Sequence, residues 1–439
     1  MTVTYDPKHP QYFAEADLRE ELTRVYDLCH GCRLCWNLCT SFPTLFAFID
    51  AHDDQDAAKL TRAEQDQVVD ECFECKICYV KCPYVPPHEW ALDFPRLMLR
   101  AKAVQKKGDG IRVRITDHAI GRTDLSGHAG VLGAPLANKV MGTPGTGIRK
   151  VMEKVTGISA ERVLPPYARQ RFTTWFKKRG KGALGRAKRG DVALFPTCLV
   201  EYQATGVGHD TVKVYERNGV EVAVPEGTKC CGAPFLHEGD FDTFQTYARK
   251  NAKVLAEQVR QGRDIVVPQP TCGFILKNDY VDHLGDDHED ARLVKEHTYD
   301  VAEYLMKLHK EGKGTEAGGL DAAFEGEVPE TITYHVPCHL QAQNIGLKSR
   351  DLMKLTGTKV QLAAQCSGID GMWGYRAENQ ALQQKVIQGL KKTIQQQDAP
   401  LVVGDCHLAN GGIKDATGRQ PVHPMQFVAR AYGIPEETP

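Results

Sequence analysis

Two rhythms of hydrophobic and polar residues run along the 439-residue chain. Near the amino end, in "FAEADLREELTRVYDLC", Phe13, Leu18, Leu22, Val25 and Leu28 recur at close to helical spacing, which predicts an amphipathic helix. Thr61 and Glu64 in "TRAEQDQVVDEC" have capping-box spacing and predict another helix start. The run "FPTLFAFI" is apolar almost throughout and is expected to wall an interior off from water. From Asp191 the rhythm changes. "DVALFPTC", "VEVAVPEG" and "DIVVPQPTC" read as strands, separated by the helical stretches "TGVGHDTVKVYERNG" and "DTFQTYARKNAKVLAEQVRQG". The same order returns from about residue 331 with "TITYHVPC", "KVQLAAQCSG" and "APLVVGDCHL" as strands. Helices carrying "SRDLMKLTG" and "ALQQKVIQGLKKTIQQQ" separate them. Such β–α alternation implies a parallel sheet covered by helices, here twice over. The expected fold class is multidomain, α plus α/β. A helical domain spans 1–100, a connecting segment 101–190, and two tandem α/β domains 191–325 and 326–439.

Charge changes this picture in one place. The whole chain is near neutral, with a formal net charge of -1, so there is no global attraction to nucleic acid or anionic lipid. Yet Arg100 to Arg189 holds 21 Lys or Arg against 5 Asp or Glu. Its glycine-rich "GTPGTG" is no phosphate-binding loop, because no G-K-[ST] follows. "RFTTWFKKR" at 171–179 sets Phe172, Trp175 and Phe176 beside basic groups. It is short for an interfacial helix and is expected to dock on its own protein, with peripheral membrane contact as the alternative. No run of 18 apolar residues suits a membrane span, and the amino end lacks the charge and apolar pattern of a secretory signal. A cytoplasmic location is expected.

Cysteine is the outlier, with 15 residues. In a reducing compartment, clustered cysteines point to metal or redox chemistry. "CHGCRLCWNLC" and "CFECKICYVKCP" both have the spacing C-x2-C-x2-C-x3-C. This is the bacterial ferredoxin pattern, in which three close thiolates hold one cluster and the fourth reaches across to the other. Two [4Fe-4S] clusters are therefore expected. Cys29, Cys32, Cys35 and Cys82 hold the first; Cys72, Cys75, Cys78 and Cys39 hold the second. Zinc knuckles offer no place for the third close cysteine.

Seven further cysteines follow the repeat. Cys198, the pair Cys230 and Cys231, and Cys272 fall in the first α/β half; Cys338, Cys366 and Cys406 fall in the second. Cys198, Cys272, Cys338 and Cys406 sit at the ends of predicted strands, where ligands gather in open parallel sheets. Inert buried cysteine is common, but a matched set in both halves argues for a site in each.

With these motifs in place, the chain resembles the iron–sulfur oxidoreductases that join an α-helical ferredoxin domain to two CCG domains. That family includes the C-type and B-type subunits of heterodisulfide reductase, the C-type subunit of anaerobic glycerol-3-phosphate dehydrogenase, and related proteins associated with rubrerythrin. The resemblance covers nearly the whole chain apart from parts of 100–190. It implies that Cys198, Cys230, Cys231 and Cys272 hold a further iron–sulfur cluster or a zinc ion, with Ile275 in place of a last cysteine. In the second copy Ser367 and Ala409 stand where cysteines belong, so Cys338, Cys366 and Cys406 leave one position open or recruit another ligand. His335, His339, Ser367 and His407 lie nearby in sequence. The implied role is an electron-transfer subunit whose partner is a flavoprotein dehydrogenase, a rubrerythrin-like protein or a quinone. No dinucleotide fingerprint follows a strand, so hydride chemistry belongs to that partner. The alternatives are a disulfide or peroxide reductase acting at a CCG site, and a zinc-stabilised scaffold.

Overall fold

The computed structural model describes residues 5–108, 121–316, 318–369 and 371–437. Residues 109–120, within the basic connecting segment, lie outside them. The amino-terminal body is helical. Helix α1 (Glu15–Cys32) buries Leu18, Leu22, Val25 and Tyr26 against α2 (Ser41–Asp50), α3 (Arg62–Asp70) and α5 (Phe94–Gly108). A short helix, α4 (Ile77–Lys81), lies within the second cysteine run. The α3 capping box forms as the Thr61 and Glu64 spacing predicts, with each residue's side chain accepting from the other's backbone N–H. Buried Arg100 on α5 donates to the carbonyls of Tyr12 and Gln11 and to Asp17, pinning the leading segment.

The connecting segment folds into α6 (Thr123–Leu132), α7 (Ala134–Met141), α8 (Gly147–Thr156) and α9 (Phe172–Arg179). Helix α9 docks on the protein itself. Phe172 is fully buried, and Trp175 stacks on His209 with ring centroids 3.9 Å apart.

Beyond it lie two parallel sheets. The first has order β2-β1-β3-β4, with β1 (Gly190–Leu194) between β2 (Val220–Ala223) and β3 (Asp264–Val267), and β4 (Thr298–Asp300) outermost. The second has order β6-β5-β7, with β5 (Thr331–His335) between β6 (Lys359–Ala363) and β7 (Leu401–Gly404). Strand β4 has no counterpart in the sequence reading. Its three residues include Thr298 and Asp300, which are buried but polar, so the hydrophobic alternation never shows. Helices Thr205–Arg217 and Pro424–Ala431 pack together, and one continuous apolar core runs from Val192 and Leu194 of the first half to Ile332 and Tyr334 of the second.

The cysteines expected at strand ends fall slightly later. Cys198 and Cys338 open short helices, Cys272 lies in the helix Pro270–Phe274, and Cys406 precedes the helix His407–Thr417. Each strand stops two or more residues earlier. In each sheet these cysteines follow the adjacent strands β1 and β3, or β5 and β7. The connections there leave in opposite directions, opening the crevice in which parallel sheets bind ligands.

Candidate functional site

The chain gathers its cysteines into three neighbourhoods. In the first, the end of α1 and the loop after it carry Cys29, Cys32 and Cys35, and the segment after α4 brings in Cys82. The four line one small pocket with Leu28, Phe42, Phe46 and Leu92. The thiols whose charge acts on Cys29 are Cys35, Cys82 and Cys32. Cys82 accepts from the Tyr84 N–H at 3.4 Å. Burial pushes Cys35 up to about 11. Because metal-bound thiolates must be deprotonated, loading such a site releases protons. Four sulfurs in an apolar bowl suit an iron–sulfur cluster, and the Phe42 and Phe46 rings of "FPTLFAFI" form its wall.

In the second, the thiols that act on Cys78 are Cys75, Cys72, Cys39 and Cys35. Cys39 sits just before α2, where the N–H groups of Phe42 and Ser41 partly offset burial; its thiol is pushed up to about 12. A buried charge cluster backs this neighbourhood. Glu74 accepts from Lys76 at 2.7 Å and lies 3.7 Å from the Cys72 sulfur. Lys76 adopts a left-handed backbone at φ 64°. Asp279, in a π-helical turn (Ile275–Asp279), is pushed up to about 7 by burial, with Lys76 opposing. Sequence reasoning missed Glu74, Lys76 and Asp279. Glu74 and Lys76 flank Cys75, but nothing in the spacing says that their charges turn inward, and Asp279 meets them only through the tertiary fold.

The third neighbourhood is double, one part in each α/β half. Cys198 neighbours Cys230, Cys230 neighbours Cys231, and Cys231 neighbours Cys272, so the four thiols form a continuous chain, buried at Cys230, Cys231 and Cys272. Asn251 holds the turn, accepting from the Lys229 N–H at 2.7 Å and donating to the Cys230 carbonyl at 2.9 Å. Gly232 follows at φ 96°, and a Cβ there would lie 2.6 Å from the Phe244 ring; only glycine fits this turn. The second half repeats the device: Gly368 follows Ser367 at φ 68°, and Gln383 donates to the Ser367 carbonyl at 3.2 Å. The Gly368 N–H lies 3.2 Å from the Cys366 sulfur. Cys406 accepts from Gln269, a residue of the first half, at 3.2 Å. Gln269 is a functional contact that the sequence does not signal.

Two cavities reach these thiols. One, of about 770 Å³, is lined by Cys39 and Cys75 on one side and by Cys338, Cys366 and Cys406 on the other. His335, His339, Ser367 and Ala409 also line it. His339 Nδ1 lies 3.2 Å from the Thr271 hydroxyl and 3.9 Å from the Cys338 sulfur. Burial holds the His339 imidazole down at about 3 and His335 at about 4, so both are neutral at pH 7. His407 faces elsewhere, lining a separate cavity with His423. Ile275 is buried in apolar packing. The other cavity, of about 690 Å³, reaches Cys198 and Cys230 beneath α6 and α9. Trp373 ties the helical body to the second half: its indole N–H donates to the Asp70 carbonyl at 2.7 Å, and its ring lies 4.9 Å from Phe73.

Residues 192–277 and 332–408 match the CCG cysteine-rich domain, and residues 23–108 match the Fer4-like domain of citrate utilization protein B. The chain belongs to the iron–sulfur proteins in which a Fer4-like domain precedes two CCG domains. It is homologous to the C-type subunit of anaerobic glycerol-3-phosphate dehydrogenase of Escherichia coli, 28% identical over 342 residues, or 76% of this chain and 81% of the relative. An iron–sulfur protein of Methanocaldococcus jannaschii is 29% identical over 52% of this chain and 42% of its own length. The B-type subunit of fumarate reductase (CoM/CoB) of Methanothermobacter marburgensis is 26% identical over 55% of this chain and 46% of its own length.

Proposed function

We propose that this chain is the iron–sulfur electron-transfer subunit of an oxidoreductase. Cys29, Cys32, Cys35 and Cys82 would hold one [4Fe-4S] cluster, and Cys72, Cys75, Cys78 and Cys39 the other. Bound there, such clusters supply one-electron exchange. The chain's own residues do the rest. Phe42 and Phe46 exclude water from the first site. Exposed Cys32, beside exposed Leu34 and Trp36, forms an edge at which a redox partner can approach. Glu74 and Lys76 fix opposite charges beside the second site. The observation that carries the proposal is the cavity with Cys39 and Cys75 on one wall and Cys338, Cys366 and Cys406 on the other. That lining supports a path between the second ferredoxin-type site and the second CCG site. Cys198, Cys230, Cys231 and Cys272 would hold a further cluster or a zinc ion in the first half.

The relatives named as dehydrogenase and fumarate reductase subunits support a redox partner; on this reading it is a flavoprotein dehydrogenase or a rubrerythrin-like protein, with a quinone met peripherally at a membrane as the alternative. Anaerobic metal analysis and electron paramagnetic resonance test the reading. About eight irons from the two amino-terminal sites are expected. Cys39→Ser should abolish the second cluster's signal and leave the first. Loss of the first alone would refute the crossed ligation, and zinc without iron would refute the electron-transfer role.

A second reading, reduction of a disulfide or peroxide at the second CCG site, is favoured by that cavity's size and by the two neutral histidines beside its thiols. A paramagnetic signal that appears only with added disulfide or hydroperoxide, and disappears in Cys338→Ala, would select it.

A further inference from the structure

The helices α6, α7 and α8 have their amphipathic sense reversed. A helix on a water-soluble surface buries its large apolar residues. Here α6 buries Gly127 and Gly130, α7 buries Ala134, and α8 buries Arg149. Met141 and Met152 pack against Leu164, Ile369 and Tyr375, but most of the large aliphatic residues face outward instead. Leu125, Leu132, Leu136, Ile148, Val151 and Val155 are exposed by 60% (Ile148) to 89% (Leu132). They are six of the 11 large apolar residues exposed among the described residues.

Packing fixes this orientation. A Cβ on Gly127 would lie 2.3 Å from the Tyr202 ring, and one on Gly130 would lie 2.4 Å from the Tyr167 ring. The glycine face of α6 therefore cannot turn outward. Arg149 donates from inside α8 to the carbonyls of Met141, Ser159 and Arg162, at 2.6, 2.8 and 2.9 Å. With Arg149 locked inward, Ile148, Val151 and Val155 must point away from the protein. Asn138 anchors α7, donating to the Tyr167 carbonyl at 2.9 Å and accepting its N–H at 2.8 Å.

Charge identifies the occupant. Lys139, Lys150 and Lys154 are exposed on the same helices. The acidic residues there turn inward: Glu153 accepts from the Ala160 N–H at 2.6 Å, and Asp124 pairs with Lys229 at 3.1 Å. A protein-binding patch is enriched in aromatic residues, methionine and arginine and depleted in lysine. Aliphatic residues ringed by lysine suit the boundary between acyl chains and anionic headgroups.

We infer that α6, α7 and α8 form a seat on an anionic lipid bilayer, with Leu132, Leu136, Val151 and Val155 entering the headgroup boundary and Lys139, Lys150 and Lys154 meeting lipid phosphates. The inference rests on the peripheral placement proposed above and moves the contact from α9, which is docked, to the preceding helices. Asp124 and His128 of α6 also line the cavity that reaches Cys198 and Cys230, so the seat lies next to an opening onto the first CCG site.

Flotation of the full, anaerobically purified chain with vesicles tests this. Binding to vesicles containing phosphatidylglycerol is expected, with at least tenfold less to pure phosphatidylcholine and a steep loss in high salt. Leu132→Glu/Val151→Glu should weaken binding at least tenfold with iron content and circular dichroism unchanged, whereas Leu362→Glu, on the exposed β6, should not. If the wild type floats and the double variant floats equally well, the seat is refuted while peripheral placement stands. If the wild type floats with neither vesicle, both are refuted. A concentration-dependent doubling of mass that the double variant abolishes would identify a second copy as the occupant and overturn the lipid seat.

Discussion

The two α/β halves use one plan for different surroundings. Both place a central strand beside the strand whose following turn carries the last cysteine, and both pass through a left-handed glycine after the paired position, Gly232 in one and Gly368 in the other. The first half has four neighbouring thiols, and its cavity opens beneath α6 and α9. The second has three, with Ser367 at the fourth place, and faces the ferredoxin-type cysteines. A repeated fold therefore fixes where thiols converge, while the elements packed outside it decide what they face. The half that lacks a thiol is the one with a cavity shared with Cys39 and Cys75. An open ligand position is useful only where electrons and a substrate or second cluster can both reach it.

Exchanging the paired residues is the largest test of that contrast. On the proposed ligand sets, Cys231→Ser should lower the metal content of the first half and Ser367→Cys should raise that of the second, both read by anaerobic iron, sulfide and zinc quantitation. Next, Trp373→Ala removes the bond to Asp70 and the tilted ring contact with Phe73. It should cost about 3 kcal/mol, within the range for deleting a buried aromatic, read as a lower denaturant midpoint. The first half meets the helical body through an apolar core, in which Tyr12, Leu99 and Ala103 join Phe235 and Phe241, and through an ion pair between Arg96 of α5 and Asp282.

The turn supports should rank in order. Asn251→Ala frees the Lys229 N–H and the Cys230 carbonyl and should cost about 2 kcal/mol, against about 1 kcal/mol for Gln383→Ala, which loses one bond. The smallest effect lies in two buried acids. Asp405 in the second half accepts from the Tyr334 hydroxyl at 2.6 Å and from Ser349. Asp300 in the first accepts from the backbone N–H groups of Ala302 and Glu303, and burial, with Asp405 second, pushes it up to about 8 from 3.8. Asp300 favours folding fully below pH 3.8, and that contribution is lost as pH rises through about 8. Asp300→Asn keeps the cap and should flatten this loss between pH 5 and 8, measured by unfolding at each pH.

Much of this was legible before folding. The doubled spacing of the eight amino-terminal cysteines already pointed to one shared neighbourhood, and the structure brings Cys82 of the second run to the pocket of Cys29, Cys32 and Cys35. The β–α rhythm also showed, since strands buried on both faces read as apolar runs. Strand β4 did not, because its buried residues are polar and satisfied locally. Thr298 donates to the Val294 carbonyl at 2.6 Å, and Asp300 caps the following helix. The docking of "RFTTWFKKR" was legible too, but the outward leucines and valines of α6 to α8 gave no warning. Their short helices hide the periodicity, and only packing shows which face is inside.

The sequence alone thus determined the kinds of domain, their order and the cysteines available to each, because ligand spacing and hydrophobic period are local properties of a chain. Tertiary structure decided which thiol sets share a cavity, which charges turn inward at Glu74, Lys76 and Asp279, and which helices face out. Those depend on contacts between residues more than a hundred positions apart, such as Gln269 with Cys406 or Asp70 with Trp373, and no local pattern encodes them.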